Sequence, residues 1–360
     1  MVNLRSEMEE KKLHKEYDKE IREDDPTASS RKQDHIEMAF RSQVVKDMKD
    51  ERFYYEPMLA SHPQNEVTED LTFLGKSMKA PLWVSSMTGG TELANKINTN
   101  LAKICGEYGL GMGLGSCRKL LTEDKYLNDF KMRPYMGYDV PFFANLGVAQ
   151  VETLLAENKL HLLDELLKKL EVDGLVVHVN PMQEWLQPEG DRFVVSPLDT
   201  VKRLLDKVSH KIIVKEVGQG MGPESLKELM KLPIAAIEFG AMGGTNFAKL
   251  ELYRGDTMRQ EIFSNLALVG HTAEDMVGYI NKLHFLLGDD VACKEYIISG
   301  GVKSFIDGYY LMSKLNATGI YGQASGFLKY AVESIDELRA YTEAQIQGLA
   351  LAKAYLKVKN

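Results

Sequence analysis

The segment 141-PFFANLGVAQVETLLAENKLHLLDELLKKLEVDGLVVHVN-180 sets the expected fold class. It begins with an apolar run of strand length and ends with a second one, 174-GLVVHVN-180. Between the two, residues 151–170 carry leucines at the spacing of one apolar helical face, which predicts a helix. A strand, a helix and a second strand in this order are typical of a parallel sheet.

The same alternation continues through most of the chain. Further apolar runs rich in β-formers occur at 82–87, 110–116, 212–218, 235–241, 296–301 and 317–324. Helical stretches are expected at 92–109, 198–209, 224–231, 273–288, 303–315 and 334–357. Eight strand candidates separated by helices predict a (β/α)₈ TIM barrel rather than an open doubly wound sheet. The turn after the first strand, 87-MTGG-90, does not fit the GxGxxG pattern of a dinucleotide-binding sheet.

Composition and charge argue against several classes of protein. The chain has 360 residues, 44% of them hydrophobic and 27% charged, with a net charge of -8. This acidic balance argues against a nucleic-acid-binding protein. The three cysteines lack the spacing of a zinc site or a redox pair. With no secretory signal and no apolar run of membrane-spanning length, we expect a cytoplasmic protein without a membrane partner. We predict a charged helical arm over residues 1–28 and a single barrel domain over 29–360.

Polar side chains or glycines stand at the end of nearly every strand candidate. They are Thr88, Ser116 with Arg118, Asn145, His178 with Asn180, Lys215 with Glu216, Glu238, 299-SGG-301 and 322-GQAS-325. In a barrel of this type the carboxyl ends of the strands form the active-site face. Ordinary solvated loops would account for one or two of these groups, whereas the whole set predicts an enzyme.

The last two strand candidates end in glycines and precede helices, which indicates a phosphate site. Glycines let the backbone approach an anion, and helix N-termini offer it free N–H groups. In barrels these two loops often hold a phosphate together. Taken singly, each glycine pair is more often only a turn.

Three further features bear on ligand binding, and the first two have two interpretations each. Lys215 lies in an otherwise apolar strand, where it either holds a ring or an anion or pairs with a neighbouring acid. The stretch 29-SSRKQDHIE-37 is either an anion site or a solvated basic patch. His178 and Asn180 share one strand face and are followed by Gln183 and Glu184, groups able to bind anionic oxygens and Mg²⁺.

At this point the chain resembles a family, the type 2 isopentenyl-diphosphate Δ-isomerases. The motifs are RKxxHIE, SSMTGG, NLG, HVNPMQEWLQPEGD, VKEVGxGM, GGTNFAxLE and ISGGV, between about Ser29 and about Tyr330. HxNPxQExxQPEGD is the most specific of them, since many FMN barrels share the glycine motifs. The resemblance implies interconversion of isopentenyl and dimethylallyl diphosphate with FMN, Mg²⁺ and NADPH, the last keeping the flavin reduced. It also implies a homotetramer or homo-octamer.

The resemblance further implies roles for individual residues. The diphosphate would be held by Arg31, Lys32, His35, Arg118, His178 and Asn180. Gln183 would lie beside the reacting alkene and Glu184 would bind Mg²⁺. FMN would be contacted by Ser86, Met87, Thr88, Ser116, Asn145, Lys215, Thr245, Gly300, Gly301, Gln323 and Ala324. Gln183 and Lys215 are the expected catalytic residues.

The chain departs from the family pattern at Cys117, Gln219 and Ser325. Two other functions remain open at this stage. A different FMN barrel, such as a 2-hydroxy-acid oxidase, would need a catalytic histidine near strand six or seven, and 236-AIEFGAMGGTNF-247 contains none. A non-catalytic barrel serving as a binding scaffold would not need the polar strand ends.

Overall fold

The computed structural model describes residues 28–63, 71–86 and 92–359. The chain divides into two compact units, one ending at Glu51 and the other beginning at Arg52. In the first unit, α1 (Ala28–Met38) precedes a short 3-10 helix at Lys46–Met48. The expected arm lies almost wholly outside the described residues, and its boundary at residue 28 stays a prediction.

Among the described residues, the second unit contains all the strands and the remaining helices. The strands are β1 (Phe53–Tyr55), β2 (Leu71–Phe73), β3 (Lys76–Met78), β4 (Leu82–Val84), β5 (Gly111–Gly113), β6 (Phe142–Gly147), β7 (Gly174–Val179), β8 (Lys211–Glu216), β9 (Ala236–Glu238), β10 (Glu295–Ser299), β11 (Thr318–Gln323) and β12 (Leu356–Val358). The helices are α2 (Glu92–Tyr108), α3 (Leu127–Phe130), α4 (Arg133–Met136), α5 (Val148–Ala156), α6 (His161–Leu170), α7 (Pro181–Leu186), α8 (Pro197–Leu205), α9 (Pro223–Met230), α10 (Phe247–Arg254), α11 (Thr257–Phe263), α12 (Ala273–Leu287), α13 (Phe305–Lys314), α14 (Ser325–Glu333) and α15 (Ile335–Tyr355).

Strands β4 to β11 form a closed parallel barrel in chain order, and β11 pairs back onto β4. This confirms the predicted (β/α)₈ barrel. Two antiparallel pairs stand apart from the barrel, β1 with β12 and β2 with β3. None of the described helices combines the length and apolar character needed to cross a membrane.

The barrel interior is filled by an apolar layer. One buried cluster joins inward side chains of the strands with side chains of the β2–β3 hairpin; it includes Phe73, Leu74, Met78, Trp83, Phe143, Val176, Ile213, Ala236, Ile297 and Ile320. The backbone of Leu74 is fixed there, because its N–H donates to Glu295 at 3.1 Å and its carbonyl accepts from Lys211 Nζ at 2.5 Å. The hairpin therefore packs on the barrel at the end where strands begin, opposite to the polar strand ends.

The helix expected over residues 151–170 is instead two helices, α5 and α6. Asn158, between them, has φ 55, a left-handed conformation that asparagine tolerates better than most residues. The leucines of both helices pack into one core, which explains why their pattern runs on across the break. Helices α7, α10 and α11 were not expected, and all three follow strand ends on the polar side of the barrel.

Candidate functional site

A row of polar residues lies directly above the apolar layer. His178, Lys215 and Glu238 pair in register on the adjacent strands β7, β8 and β9. Each stands two residues beyond an inward apolar residue of its strand, so its side chain has the same inward direction. The sequence alternation thus places an imidazole, an ammonium group and a carboxyl side by side at the carboxyl end of the barrel.

His178 is held by Asn145 of the neighbouring strand. Its Nδ1 lies 2.7 Å from Asn145 Oδ1, while Asn145 Nδ2 donates to the carbonyl of Leu114 at 3.0 Å. Burial and then the charge of Lys215 lower the pKa of His178 to about 3, although part of the residue remains accessible. Gly147 makes room for the ring, since a Cβ there would lie 2.9 Å from Nε2.

Lys215 and Glu216 point to opposite faces of β8, as the strand geometry predicts. Lys215 is 8% exposed, and its Nζ donates to the carbonyl of Glu216 at 2.7 Å. The carboxylate of Glu216 instead accepts the backbone N–H groups of Gly218, Gln219 and Gly220. Glu216 therefore braces the β8 loop, and Lys215 is the charged group that faces the site.

A cavity of about 250 Å³ opens beside Lys215. Its glycine-rich wall comes from the loops after β9, β10 and β11, and includes Gly243, Gly244, Gly300, Gly301, Gly322 and Gly326. Gly300 has φ +87, and a Cβ there would lie 2.1 Å from the carbonyl of Ala241. Only glycine fits this position without strain, so the backbone itself forms the surface of the cavity.

Two helices, α13 and α14, begin at this wall. Just before α13, Asp307 accepts from the N–H groups of Lys303 and Ser304, so these two groups are not open to an anion. The first turn of α14 begins at Ser325 without a side-chain cap. An anion in the cavity would therefore meet the α14 N-terminus, with the Lys303 side chain lining the same wall.

Hydroxyl groups line the opposite part of the cavity. The Oγ atoms of Ser85 and Ser86 are buried and have no hydrogen-bond partner. Room for them comes from Gly322 and Gly113, where an added Cβ would lie 2.8 Å and 2.9 Å from these two oxygens. Buried hydroxyls normally find a partner, so two unpaired ones facing a cavity indicate a polar ligand.

The Gln323 side chain is hydrogen-bonded to the protein through both its nitrogen and its oxygen. Its Nε2 donates to the carbonyl of Val302 at 3.3 Å, and its Oε1 accepts from Tyr341 at 3.0 Å. Gln323 thereby ties the β10 loop to α15, so its side chain holds the cavity wall in place.

A second polar cluster lies at the start of α7, after β7. Asn180 Nδ2 donates to Gln183 Oε1 at 3.0 Å and to Glu184 Oε1 at 2.9 Å, while its Oδ1 is buried without a partner. Gln183 donates to the buried Glu251 of α10, which also accepts from Arg254. Glu184 accepts from the backbone N–H of Asp191 at 2.7 Å. Asn180, Gln183 and Glu184 thus belong to one connected hydrogen-bond network.

Arg118 reaches the same loop. Its Nη1 donates to Asp191 Oδ2 at 2.8 Å, and Gln150 donates to the same oxygen at 2.7 Å. Among the described residues, no group of three or more His, Cys, Asp or Glu could hold a metal ion by itself. A cation at Glu184 would therefore need further oxygen ligands from neighbouring polar groups, a bound molecule or water.

The structure brings most of the expected site residues together at one end of the barrel. Ser86, Lys215, Thr245, Gly300, Gly301, Gln323 and Ala324 line the cavity. Lys32 and His35 are exposed on α1, in the other unit, and Ser116 is exposed after β5. Met87, Thr88 and the side chain of Arg31 lie outside the described residues.

Four residues of the site received no role from the sequence, namely Ser85, Glu238, Glu251 and Lys303. Ser85, Glu238 and Lys303 line the cavity, and Glu251 supports Gln183. Lys303 follows the glycine pair at a strand end, a signal that could have identified it. The spacing of Glu251 carries no such signal, because α10 was not expected.

Comparison with known proteins finds relatives named isopentenyl-diphosphate delta-isomerase. The chain is 33% identical over 306 residues to the isopentenyl-diphosphate delta-isomerase of Rickettsia typhi, covering 84% of this chain and 85% of that protein. It is 33% identical over 325 residues to the enzyme of the same name from Rickettsia africae, covering 89% and 91%. No family model matches the sequence.

Solved structures show likeness of fold alone. A variant of flavocytochrome b2 with benzoylformate superposes with a TM-score of 0.57 at 15% identity, covering 85% of this chain and 75% of that one. A mandelate oxidase variant with benzaldehyde gives 0.54 at 12% identity, covering 86% and 87%. At identities this low, the superpositions support the barrel fold only, and the chemistry has to be inferred from the residues of the site.

Proposed function

Because the chain belongs to the isopentenyl-diphosphate delta-isomerase family, we propose that it is a type 2, FMN-dependent isomerase. It would convert isopentenyl diphosphate into dimethylallyl diphosphate with Mg²⁺, and NADPH would keep the flavin reduced. The reaction moves a double bond by one carbon, so one carbon gains a proton and another loses one. No net oxidation or reduction takes place.

The cavity fits FMN in two respects. The glycine wall and the uncapped α14 N-terminus offer backbone N–H groups to a phosphate, as flavin mononucleotide requires. The unpaired hydroxyls of Ser85 and Ser86 and the ammonium group of Lys215 offer polar contacts to the remainder of the cofactor. The phosphate end would be held by Gly300, Gly301, Ala324 and Ser325, with Lys303 supplying the positive charge absent from Ser325.

Reduced FMN, when bound, supplies the proton donor and acceptor for the allylic shift. The protein has to orient the alkene, exclude water and balance charge. Lys215 is placed to stabilise negative charge in the cavity, because it is buried and fixed by the Glu216 carbonyl. Gln183 is held by Asn180 and Glu251, so its amide has a fixed direction in the loop above the strand ends.

The diphosphate would bind at the cluster formed by His178, Asn180 and Arg118. Arg118 would exchange part of its contact with Asp191 for a phosphate oxygen, since guanidinium groups bind both carboxylates and phosphates in the same geometry. We further propose that Lys32 and His35, together with Arg31, bind a phosphate group of the substrate. Both described side chains are exposed and one helical turn apart on α1, as a shared anion contact requires.

The residues also fit Mg²⁺ bound through a single carboxylate. Mg²⁺ commonly takes one or two carboxylates and completes its shell with substrate phosphates and water. Glu184 offers that carboxylate, and the unpaired Oδ1 of Asn180 lies in the same cluster. The absence of a larger acidic group among the described residues agrees with this kind of site.

The observation that carries the proposal is the combination of a glycine-walled cavity, unpaired serine hydroxyls and a buried lysine at the strand ends. It is tested by an anaerobic assay with isopentenyl diphosphate, Mg²⁺, FMN and NADPH. We expect dimethylallyl diphosphate only when the flavin is reduced, without NADPH oxidation that matches the product. Folded protein with reduced flavin but no product would contradict the proposal.

A second assay, with a 2-hydroxy acid and oxidised FMN, separates the isomerase from a 2-hydroxy-acid oxidase. An oxidase would need a histidine that takes a proton from its substrate, and residues 236–247 contain none. Oxidation of a 2-hydroxy acid with reduction of the flavin would support that other activity.

A further inference from the structure

Glu238 is a buried acid at the base of the cavity for which the proposed reaction gives no role. It is 0% exposed and lines the cavity together with Lys215, its register partner on β8. Its Oε1 accepts from Ser299 Oγ at 3.2 Å, and its Oε2 has no hydrogen-bond partner. A carboxyl so buried and so poorly hydrogen-bonded is costly to ionise unless a positive charge lies nearby.

The remaining contacts of this carboxyl are incomplete. Ser85 and Trp83 lie near enough to act on its charge, yet the Ser85 hydroxyl and the Trp83 N–H complete no hydrogen bond. Ser299 accepts from the N–H of Gly240 at 3.0 Å, which directs its own proton to Glu238. Burial raises the pKa of Glu238, and Lys215 is the largest influence in the opposite direction.

The other groups around Lys215 do not supply a balancing negative charge on this face. His178 on β7 is neutral, and Glu216 lies on the other face of β8 with its carboxylate occupied by three backbone N–H groups. Glu238 is thus the acid that shares the inward face with Lys215. The charge that the cavity presents to a ligand depends on both groups together.

We propose that Glu238 is a positioning residue that sets, through Lys215, how strongly the cavity prefers an anionic ring over a neutral one. The inference rests on the proposed function, since the ring is that of FMN, neutral when oxidised and able to be anionic when reduced. Lys215 favours the anionic form, and Glu238 moderates that preference. Without this acid, the reduced cofactor would be held too tightly relative to the oxidised one.

The test compares the dissociation constants of oxidised and anaerobically reduced FMN for the full-length protein. In Glu238→Gln the shape is kept and the charge is lost, so the preference for reduced FMN should rise about tenfold. Glu238→Asp keeps the charge and should stay near the wild-type ratio. The midpoint potential of the bound flavin, measured by dye equilibration, should shift to more positive values in the Gln variant alone.

The barrel offers a matched control at its other end. Glu295 also lies beside a lysine, Lys211, and accepts from the N–H of Leu74. Glu295→Gln removes the same charge from the opposite end of the strands and should leave the ratio unchanged. An unchanged ratio in Glu238→Gln, or an equal change in Glu295→Gln, would overturn the inference.

A variant that does not fold and a wild-type protein that does not bind FMN can each be distinguished from failure of the inference. If Glu238→Gln does not fold, Ser299→Ala replaces it, because loss of the hydroxyl weakens the carboxylate charge and should shift the ratio in the same direction. No shift in that variant also overturns the inference. If the wild-type protein binds FMN in neither redox state, the proposed function itself fails, a result distinct from normal binding with an unmoved ratio.

Discussion

The Nδ1 atom of His178 lies 2.7 Å from Oδ1 of Asn145, and this contact determines which ring nitrogen carries the proton. The amide nitrogen of Asn145 donates to Leu114, so its oxygen faces the ring and accepts from Nδ1–H. In the neutral ring, Nε2 therefore has a lone pair and no proton. Such a ring cannot donate to an anionic phosphate oxygen until Nε2 is protonated.

We therefore expect diphosphate binding to be coupled to proton uptake by His178. The negative charge of the ligand offsets the burial and the Lys215 charge that keep the pKa of His178 low. Calorimetry at pH 7 in buffers of different ionisation enthalpy measures the uptake. On diphosphate binding, the His178→Gln variant should take up fewer protons than the wild type, the difference being at most about one proton per site. Equal uptake in both proteins would show that His178 stays neutral in the complex.

His178 should also make the ligand-free protein sensitive to acid. Its pKa is about 3 in the folded state against an ordinary value of 6.5, so the unfolded state binds more protons between these two values. Stability from this group is complete above about pH 6.5 and falls with decreasing pH, by at most about 1.4 kcal/mol per pH unit. Urea unfolding from pH 7 to 4 should show a steeper loss in the wild type than in His178→Gln.

Lys215→Met should reduce turnover far more than substrate binding. The variant keeps the length of the side chain but removes the charge that stabilises an anionic ring, and the diphosphate cluster lies on other residues. We expect kcat to fall by at least about 100-fold, with KM for isopentenyl diphosphate changed by less than about threefold. Steady-state kinetics with saturating reduced FMN measures both. Unchanged turnover would remove Lys215 from the catalytic residues.

Gly300→Ala should abolish tight FMN binding. Its positive φ and the 2.1 Å approach of an added Cβ to the Ala241 carbonyl force the glycine wall to move. The matched control is Gly278→Ala, on α12, where an added Cβ meets nothing within 4 Å and should stabilise the helix. Flavin fluorescence titration and thermal unfolding of both variants provide the comparison. Wild-type affinity in Gly300→Ala would place the phosphate elsewhere.

Glu184→Gln should raise the Mg²⁺ concentration needed for half-maximal activity by at least about tenfold, because Glu184 is the single carboxylate proposed to bind the metal. Glu189→Gln serves as the control, because Glu189 lies in the same loop but is exposed. Activity measured over a Mg²⁺ series distinguishes the two. An equal requirement in both variants would move the metal site away from Glu184.

The barrel itself could be predicted because its eight strands are short apolar runs with polar ends, a pattern local in the sequence. The break at Asn158 was missed since the leucines of α5 and α6 pack into one core and keep a common spacing. The β1–β12 pair joins residues about 300 positions apart, and nothing local in the sequence marks such a partner.

In the site, as in the fold, residues with a local sequence signal could be predicted and residues that depend on contacts across the fold could not. Lys215 and the glycines of the cavity wall could be identified because they interrupt strands or follow them directly. The role of Gln323 as a tie between the β10 loop and Tyr341 depends on distances across the fold. The same is true of Glu238, whose importance comes from being opposite Lys215 in the strand register.

The β2–β3 hairpin, with Leu74 fixed between Lys211 and Glu295, gives the described barrel a floor. Within the described residues, this floor separates the cavity from the far end of the barrel, so we expect a ligand to enter and leave at the carboxyl ends of the strands. For the proposed enzyme, FMN would bind before the substrate and dissociate after it. A substrate bound at the carboxyl ends of the strands would then cover FMN and slow its release during turnover.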